Sequence, residues 1–286
     1  MSNKILVIGA TGNVGSELVR ELQHIAADFR VGVADIAKAQ RQFGPEVEAV
    51  SFNFLQPDTY PSAFEGIERV FWVRPPALSN VQRDIAPAIR AAAAVNVNHM
   101  VFLSIQGVDQ NRIVPHYKIE QAILQTGVDY TFLRAGFFMQ NLSTTHCAEI
   151  REQHKIMIPV GLAQTSFIDV RDIAAVAALV LTTDAHRNRI YTLTGEQALT
   201  YYEVAQILSQ ELGQPIRYTN PSMLGFWGQQ LRQGKPLAFS VVMTALYTIT
   251  RFGNAKTVSP DVTTLLDRHP IHFDQFAHDF REVWLN

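Results

Sequence analysis

Gly9, Gly12 and Gly15 carry the strongest chemical signal in this sequence. They fall in Gly9-Ala10-Thr11-Gly12-Asn13-Val14-Gly15, directly after the apolar run Lys4-Ile5-Leu6-Val7-Ile8. Val14, Leu18, Val19, Leu22 and Ile25 follow at helical spacing. Strand, glycine turn and helix in that order present bare backbone N–H groups and the positive end of a helix to an anion. In a first βα unit that anion is a dinucleotide pyrophosphate. Gly9 permits the sharp exit from the strand, Gly12 a close backbone approach to phosphate, and Gly15 tight helix packing. Thr11 and Asn13 add side-chain hydrogen bonds, and Val14 belongs to the same cradle. A glycine turn that is purely structural is the alternative.

Asp35 stands twenty positions after Gly15, where the second strand should end. A carboxylate there accepts from both adenosine ribose hydroxyls and repels a 2′-phosphate, which favours NAD(H) over NADP(H). Lys38 and Arg41 argue in the other direction, and capping of the next helix is the plain alternative role for Asp35. Asn53-Phe54, at the end of the third strand, is placed to meet adenine, although a strand-end aromatic is equally a core residue. After the fourth strand, Val73-Arg74-Pro75-Pro76 makes a stiff extended turn. Arg74 there is in reach of a phosphate or a substrate carbonyl, or is a surface charge. Ser104 closes the fifth strand at the edge where a cofactor would lie.

Elements that position these residues are legible as alternating strands and helices. Strands are expected at Lys4–Gly9, Arg30–Asp35, Glu48–Asn53, Arg69–Arg74, His99–Ser104 and Asp129–Arg134. The clearest helices between them are Val81–Ala94 and Pro115–Gln125. This alternation predicts an α/β fold, a Rossmann-type doubly wound parallel sheet. The second half reads as strands Ile156–Val160, Thr165–Val170 and Arg189–Leu193, with helices Asp172–Leu181, Thr200–Leu212 and Phe273–Trp284. It predicts a smaller, mostly helical C-terminal lobe over residues 156–286 beside a dinucleotide domain over 1–155, with a soft boundary that chain segments can cross. That lobe is expected against the strand ends, where ligands of open α/β sheets bind.

Several blocks together resemble the atypical short-chain dehydrogenase/reductases of the NmrA-like group. They are the glycine turn, His116-Tyr117-Lys118-Ile119-Glu120, the segment from Tyr130 through Arg134-Ala135-Gly136-Phe137-Phe138 to Leu142, Phe167–Ala174, and Tyr191–Gly195. Within the group the likeness is to the quinone oxidoreductase and triphenylmethane-dye reductase branch, where a histidine stands four residues before a glutamate. The resemblance implies NAD(P) binding and hydride transfer to a small planar acceptor such as a quinone. It places His116 beside the cofactor, as a hydrogen-bonding partner of the nicotinamide end or a proton donor, and it runs Ala135, Gly136 and Phe137 under the nicotinamide. Phe138 and Tyr247 are then candidates to meet the substrate, with Phe226, Trp227, Phe239 and Met243 as further apolar supply. The alternative is a non-catalytic regulator that senses the dinucleotide and contacts a protein partner.

One departure bears on the chemistry. Reductases of the wider superfamily place tyrosine and lysine at i and i+4 on one helical face. By register with Glu120 those positions here are Arg112 and His116, and neither residue matches. Tyr117 and Lys118 are adjacent, so on a helix they point about 100° apart and cannot substitute.

Other classes are disfavoured. A formal net charge of −2 without a basic cluster gives no case for nucleic-acid binding. Cys147 is the single cysteine, so no internal disulfide forms, which suits a cytoplasmic protein. The opening apolar run leads straight into the glycine turn, so no signal peptide is expected there. Pro236–Thr250 is apolar but shorter than the ~20 residues of a membrane span, and reads as a buried or pocket-lining helix. His146, Cys147 and His154 lack zinc spacing, so no metal site is expected. Asp169 and Asp172 read as caps. A homodimer is compatible with the sequence.

Overall fold

A computed structural model of the chain describes residues 4–232, 234 and 237–285. The first half runs β1 (Ile5–Ile8), α1 (Asn13–His24), β2 (Phe29–Val33), α2 (Ile36–Phe43), β3 (Ala49–Ser51) and α3 (Tyr60–Phe64). It continues with β4 (Arg69–Trp72), α4 (Val81–Asp84), α5 (Ala86–Ala93), β5 (His99–Ile105), α6 (Pro115–Leu124) and β6 (Asp129–Ala135). Next come β7 (Phe137–Phe138), α7 (Gln140–Ser143), α8 (Cys147–Gln153), β8 (Lys155–Ile156), β9 (Thr165–Ile168), α9 (Val170–Thr182) and β10 (Arg189–Leu193). The remainder is β11 (Ala198–Leu199), α10 (Tyr201–Leu212), β12 (Arg217–Tyr218), α11 (Met223–Arg232), α12 (Leu237–Arg251), α13 (Asp261–Leu266), α14 (Phe273–Asp279) and α15 (Glu282–Leu285).

The chain divides into two compact units, Met1–Ala135 with Val170–Leu193, and Gly136–Asp169 with Thr194–Asn286. The first holds a seven-stranded sheet in the order β10-β6-β5-β4-β1-β2-β3, parallel throughout. Val7 of β1 pairs with Val31 on one side and Phe71 on the other. All four residues of β1 and of β4 are buried, as strands covered on both faces require. Leu6, Ile8, Phe52, Trp72, Ile89, Phe102 and Phe132 share one core cluster. This is the doubly wound, Rossmann-type sheet expected from the alternation of elements.

A single boundary near residue 155 does not describe the division. The segment Val170–Leu193 returns to the first unit, because β10 completes the sheet beside β6 and because buried charge ties it there. Arg69 is 1% exposed and donates to the carbonyls of Leu181 (2.8 Å) and Thr183 (3.1 Å) and to Asp184 Oδ1 (2.8 Å). Arg187 adds bonds to Asn98 O at 2.8 Å and to Asp129 Oδ2 at 3.0 Å.

Prolines explain two shortened elements. The expected helix over 81–94 breaks at Ile85 into α4 and α5, because Pro87 has no N–H for the carbonyl of Arg83. The expected strand over 156–160 shortens to β8, which ends before Pro159. The expected C-terminal helix likewise divides at Phe280 into α14 and α15. The capping box at Thr200 and Glu203 is formed as expected, with each residue bonding the other's backbone N–H. In the second unit β11, β9 and β7 form a small sheet over a core that includes Phe167, Tyr201, Phe273 and Phe276. Among the described residues, no helix is long and apolar enough to cross a membrane.

His99, which opens β5, is fully buried and sets a pH limit on the first unit. Thr131 Oγ1 donates to the carbonyl of His186 at 2.7 Å, so at 2.8 Å it accepts from His99 Nε2. His99 Nδ1 is buried without a partner. Burial, then Arg187 and Arg69, pull the His99 pKa down to about 4. The folded value lies below the unfolded one of about 6.5, so stability from the neutral ring is full above that pH and drains as pH falls. Urea unfolding is expected to lose about 3 kcal/mol between pH 7 and 4 from this group. His99→Gln keeps a donor for Thr131 and should flatten that slope. An unchanged slope in the variant would show that His99 does not titrate with unfolding.

Candidate functional site

All six strand ends singled out in the sequence point the same way, because β1 to β6 are parallel. The glycine turn, Asp35, Asn53, Arg74, Ser104 and Ala135 therefore lie along one carboxyl edge of the sheet, where open α/β sheets bind ligands. At its centre Gly9 leaves β1 with φ +83° and its carbonyl accepts from Gly12 N at 3.1 Å. Gly12 is the N-cap of α1 and offers no side-chain cap, and the first turn carries no acidic residue. The N–H groups of that turn thus have no capping side chain, an arrangement that suits an anion. Thr11, Gly12 and Asn13 are exposed, whereas the Val14 side chain is 3% exposed in the core and can contribute only its backbone. Gly15 sits so near the Gly9 carbonyl that a Cβ would stand 2.1 Å from its oxygen.

Asp35 is exposed and caps α2, with Oδ1 accepting from Lys38 N at 2.9 Å. Capping and ribose recognition are compatible, since Oδ2 carries no hydrogen bond. Lys38 and Arg41 are exposed on the same helix. Asn53 closes a local turn, accepting from Leu55 N at 2.9 Å. Phe54 is 7% exposed, with its ring 5.0 Å from Phe52 and 6.1 Å from Trp72, so that side chain is spent on the core.

Val73 faces the glycine turn; a Cβ on Gly9 would meet Val73 Cβ at 2.8 Å. Arg74 does not extend outward. Its Nη1 donates to the carbonyls of Pro75 (3.1 Å), Pro76 (3.0 Å) and Leu78 (3.0 Å), which wraps the guanidinium in its own turn. Ser104 is buried, and its hydroxyl donates to Glu120 Oε1 at 2.6 Å rather than standing free for a ligand. Glu120 also accepts from Arg134 Nε (3.1 Å) and Nη2 (2.8 Å). Burial works against the Arg134 charge, but Glu120 and Asp109 outweigh it and raise its pKa. Pattern reading missed this network, whose one sequence signal is the pair of charges at Glu120 and Arg134 inside apolar elements.

The two positions of the absent tyrosine–lysine pair fall at and just before the start of α6. Arg112 lies in a turn before α6, and His116 is the second residue of that helix. The His116 ring stacks on Phe102 with centroids 5.9 Å apart. In the second unit, Phe137 and Phe138 form β7, pair with Phe167 and Ile168, and are half-buried after Gly136. Tyr247 is 2% exposed; its hydroxyl lies 2.8 Å from His146 Nε2 and its ring packs on Phe226. Its neighbours make it a core residue. A cleft of about 300 Å³ in this unit is lined by Met139, Phe167 and Phe273 among others, and includes neither Phe138 nor Tyr247. The Phe239 side chain lies outside the described residues. Among the described residues, no group of three or more His, Cys, Asp or Glu is placed to hold a metal ion.

The model of the NmrA-like family matches residues 1–258. The chain belongs to the NmrA-like family. It is 35% identical to the NAD(P)H azoreductase of Xenophilus azovorans over 96% of each chain. Triphenylmethane reductase of Citrobacter sp. superposes with a TM-score of 0.88 at 24% identity, covering 98% of this chain and 99% of that one. The NADPH complex of an NADPH-dependent quinone oxidoreductase from Escherichia coli superposes with a TM-score of 0.87 at 21% identity, covering 96% and 99%. These two likenesses show the shared fold.

In this NmrA-like chain the surroundings of His116 disfavour its charged form. Burial, and then the Arg74 charge, pull its pKa down to about 3. The ring is neutral at physiological pH, able to donate or accept one hydrogen bond but not to deliver a proton as imidazolium.

Proposed function

We propose that this chain is an NAD(P)H-dependent reductase that passes hydride to a flat conjugated acceptor, a quinone or an azo compound, and that it favours NAD(H). The observation that carries the reading is one sheet edge where an uncapped α1 start follows the glycine turn and His116 opens α6 with its ring on Phe102. The similarity to an NAD(P)H azoreductase over 96% of the chain supports it. The residues fit the dinucleotide. Amides of the first α1 turn suit the pyrophosphate, and Asp35 Oδ2 suits the adenosine ribose. Bound dihydronicotinamide supplies the hydride. What the chain supplies is placement, since a conjugated acceptor spreads the incoming charge and needs no strong acid at the moment of transfer.

Nicotinamide absorbance followed with a panel of quinones and azo dyes tests the reading directly. Turnover is expected with both nucleotides, with tighter binding of NADH. Asp35→Ala should weaken NADH by roughly tenfold, as loss of a charge-assisted hydrogen bond does, and NADPH by less. Tight nucleotide binding with no turnover on any acceptor overturns the reductase. Equal weakening of both nucleotides removes Asp35 from ribose recognition.

A further inference from the structure

We propose that Arg74 and His116 form an anion-stabilising subsite that receives the acceptor heteroatom as it becomes negative. The inference rests on the reductase reading and names what that site does beyond placement.

Arg74 differs from four other arginines of the first unit that are at least half-buried. Arg30, Arg69, Arg134 and Arg187 each meet a carboxylate. Among the described residues none stands within 4 Å of Arg74, although the residue is half-buried after β4. Its guanidinium bonds only the carbonyls of Pro75, Pro76 and Leu78, through Nη1, while Nε is buried with no partner. Burial lowers its pKa, and no acidic group offsets that. A desolvated cation without a counter-charge is costly, and a fixed one is a preorganised place for negative charge. Pro75 and Pro76 stiffen the turn, so little reorganisation is needed when charge appears.

Sheet order says which charge. Along the edge the strands run β2, β1, β4, β5. Asp35 after β2 suits the adenosine ribose and the uncapped α1 start after β1 suits the pyrophosphate. This leaves the positions after β4 and β5 for the nicotinamide end and the acceptor. Arg74 follows β4, and its charge is felt at His116, whose ring lies on Phe102 of β5. The acceptor gains a hydride with its electron pair from dihydronicotinamide, which is oxidised in exchange. One acceptor heteroatom, a quinone oxygen or azo nitrogen, thereby becomes anionic, and water then provides its proton. Arg74 and a His116 N–H would hold that anion until the proton arrives.

Arg74→Gln removes the charge and Arg74→Lys keeps it. In turnover with NADPH and a quinone, Arg74→Gln is expected to lower kcat about 100-fold while nucleotide affinity stays within about twofold, as for loss of one oxyanion donor. Arg74→Lys should recover at least tenfold of that loss, about 1.4 kcal/mol. A second readout needs no turnover. With the oxidised nucleotide bound, 4-nitrophenol should bind as its coloured phenolate in preference to the neutral phenol, and Arg74→Gln should abolish the preference. The His116 proton NMR titration should move upward in the same variant, provided its melting temperature shows it folded. Unchanged kcat with unchanged phenolate preference overturns the proposal. So does a large loss of NADPH affinity with kcat retained, because the guanidinium would then serve the pyrophosphate. Phenolate preference that depends on Arg74 without any turnover would keep the subsite and sink the reductase reading instead.

Discussion

Gly15→Ala is expected to abolish dinucleotide binding and to destabilise the first unit by about 3 kcal/mol, the upper range for overpacking. The added Cβ would stand 2.1 Å from the Gly9 oxygen, 2.7 Å from its carbonyl carbon and 2.8 Å from Ala10 Cα. All three are backbone atoms of the turn, so no rotamer change relieves the clash. Either α1 withdraws from the strand end or the turn deforms, and both move the amides that would face the pyrophosphate. Gly12 supplies the control. A Cβ there meets only the Gly9 oxygen, at 3.4 Å, so Gly12→Ala should fold with near-normal stability and lose affinity through crowding of the phosphate alone. Urea unfolding separates the two variants, and nucleotide fluorescence reads their binding. A Gly15→Ala protein that binds NADPH like the unmodified chain would show that the turn is not the docking point.

What was legible in the sequence is what local pattern determines. The glycine spacing and the apolar runs depend on neighbours within a turn or a strand, and they placed β1 to β6, α1 and α6 within a few residues. Contacts between distant segments were not legible. Asp184 lies 115 residues from Arg69, and that pairing returns α9 and β10 to the first unit. Tyr247 illustrates a different limit. An aromatic on an apolar helix reads equally as a pocket wall or as core, and only its bond to His146, 101 residues away, decides for the core. Phe54 divides in the same way, between adenine contact and packing on Phe52. Arg74 was open to three readings because its direction depends on how the Pro75-Pro76 turn presents its carbonyls, which residue types alone do not specify. His116 shows a further limit, since a pKa depends on burial and neighbouring charge, which residue type alone does not give.

The second large effect concerns Glu120, whose loss should cost about 3–5 kcal/mol, the usual range when one partner of a buried ion pair is removed. Glu120 is 2% exposed and gathers Ser104 Oγ, Arg134 Nε and Arg134 Nη2 onto one carboxylate. Glu120→Met leaves Arg134 with Asp109 at 3.6 Å as its remaining carboxylate and strips Ser104 of its acceptor. Arg134→Met leaves the opposite imbalance, an ionised carboxylate inside the sheet–helix interface with only a hydroxyl to solvate it. Each single variant exposes an uncompensated charge, so the double variant Glu120→Met with Arg134→Met should be less damaged than the sum of the two, by 1 kcal/mol or more. Additive losses in a urea double-mutant cycle would show that the two groups do not act as a pair. The arrangement also has a consequence for chemistry. Glu120 stands one helical turn beyond His116 on α6 and anchors that helix to the ends of β5 and β6 through Ser104 and Arg134. Cutting the anchor frees the start of α6, and His116 with it. The double variant should therefore recover stability without recovering turnover, because packing methionines replaces burial but not the direction in which the pair holds the helix.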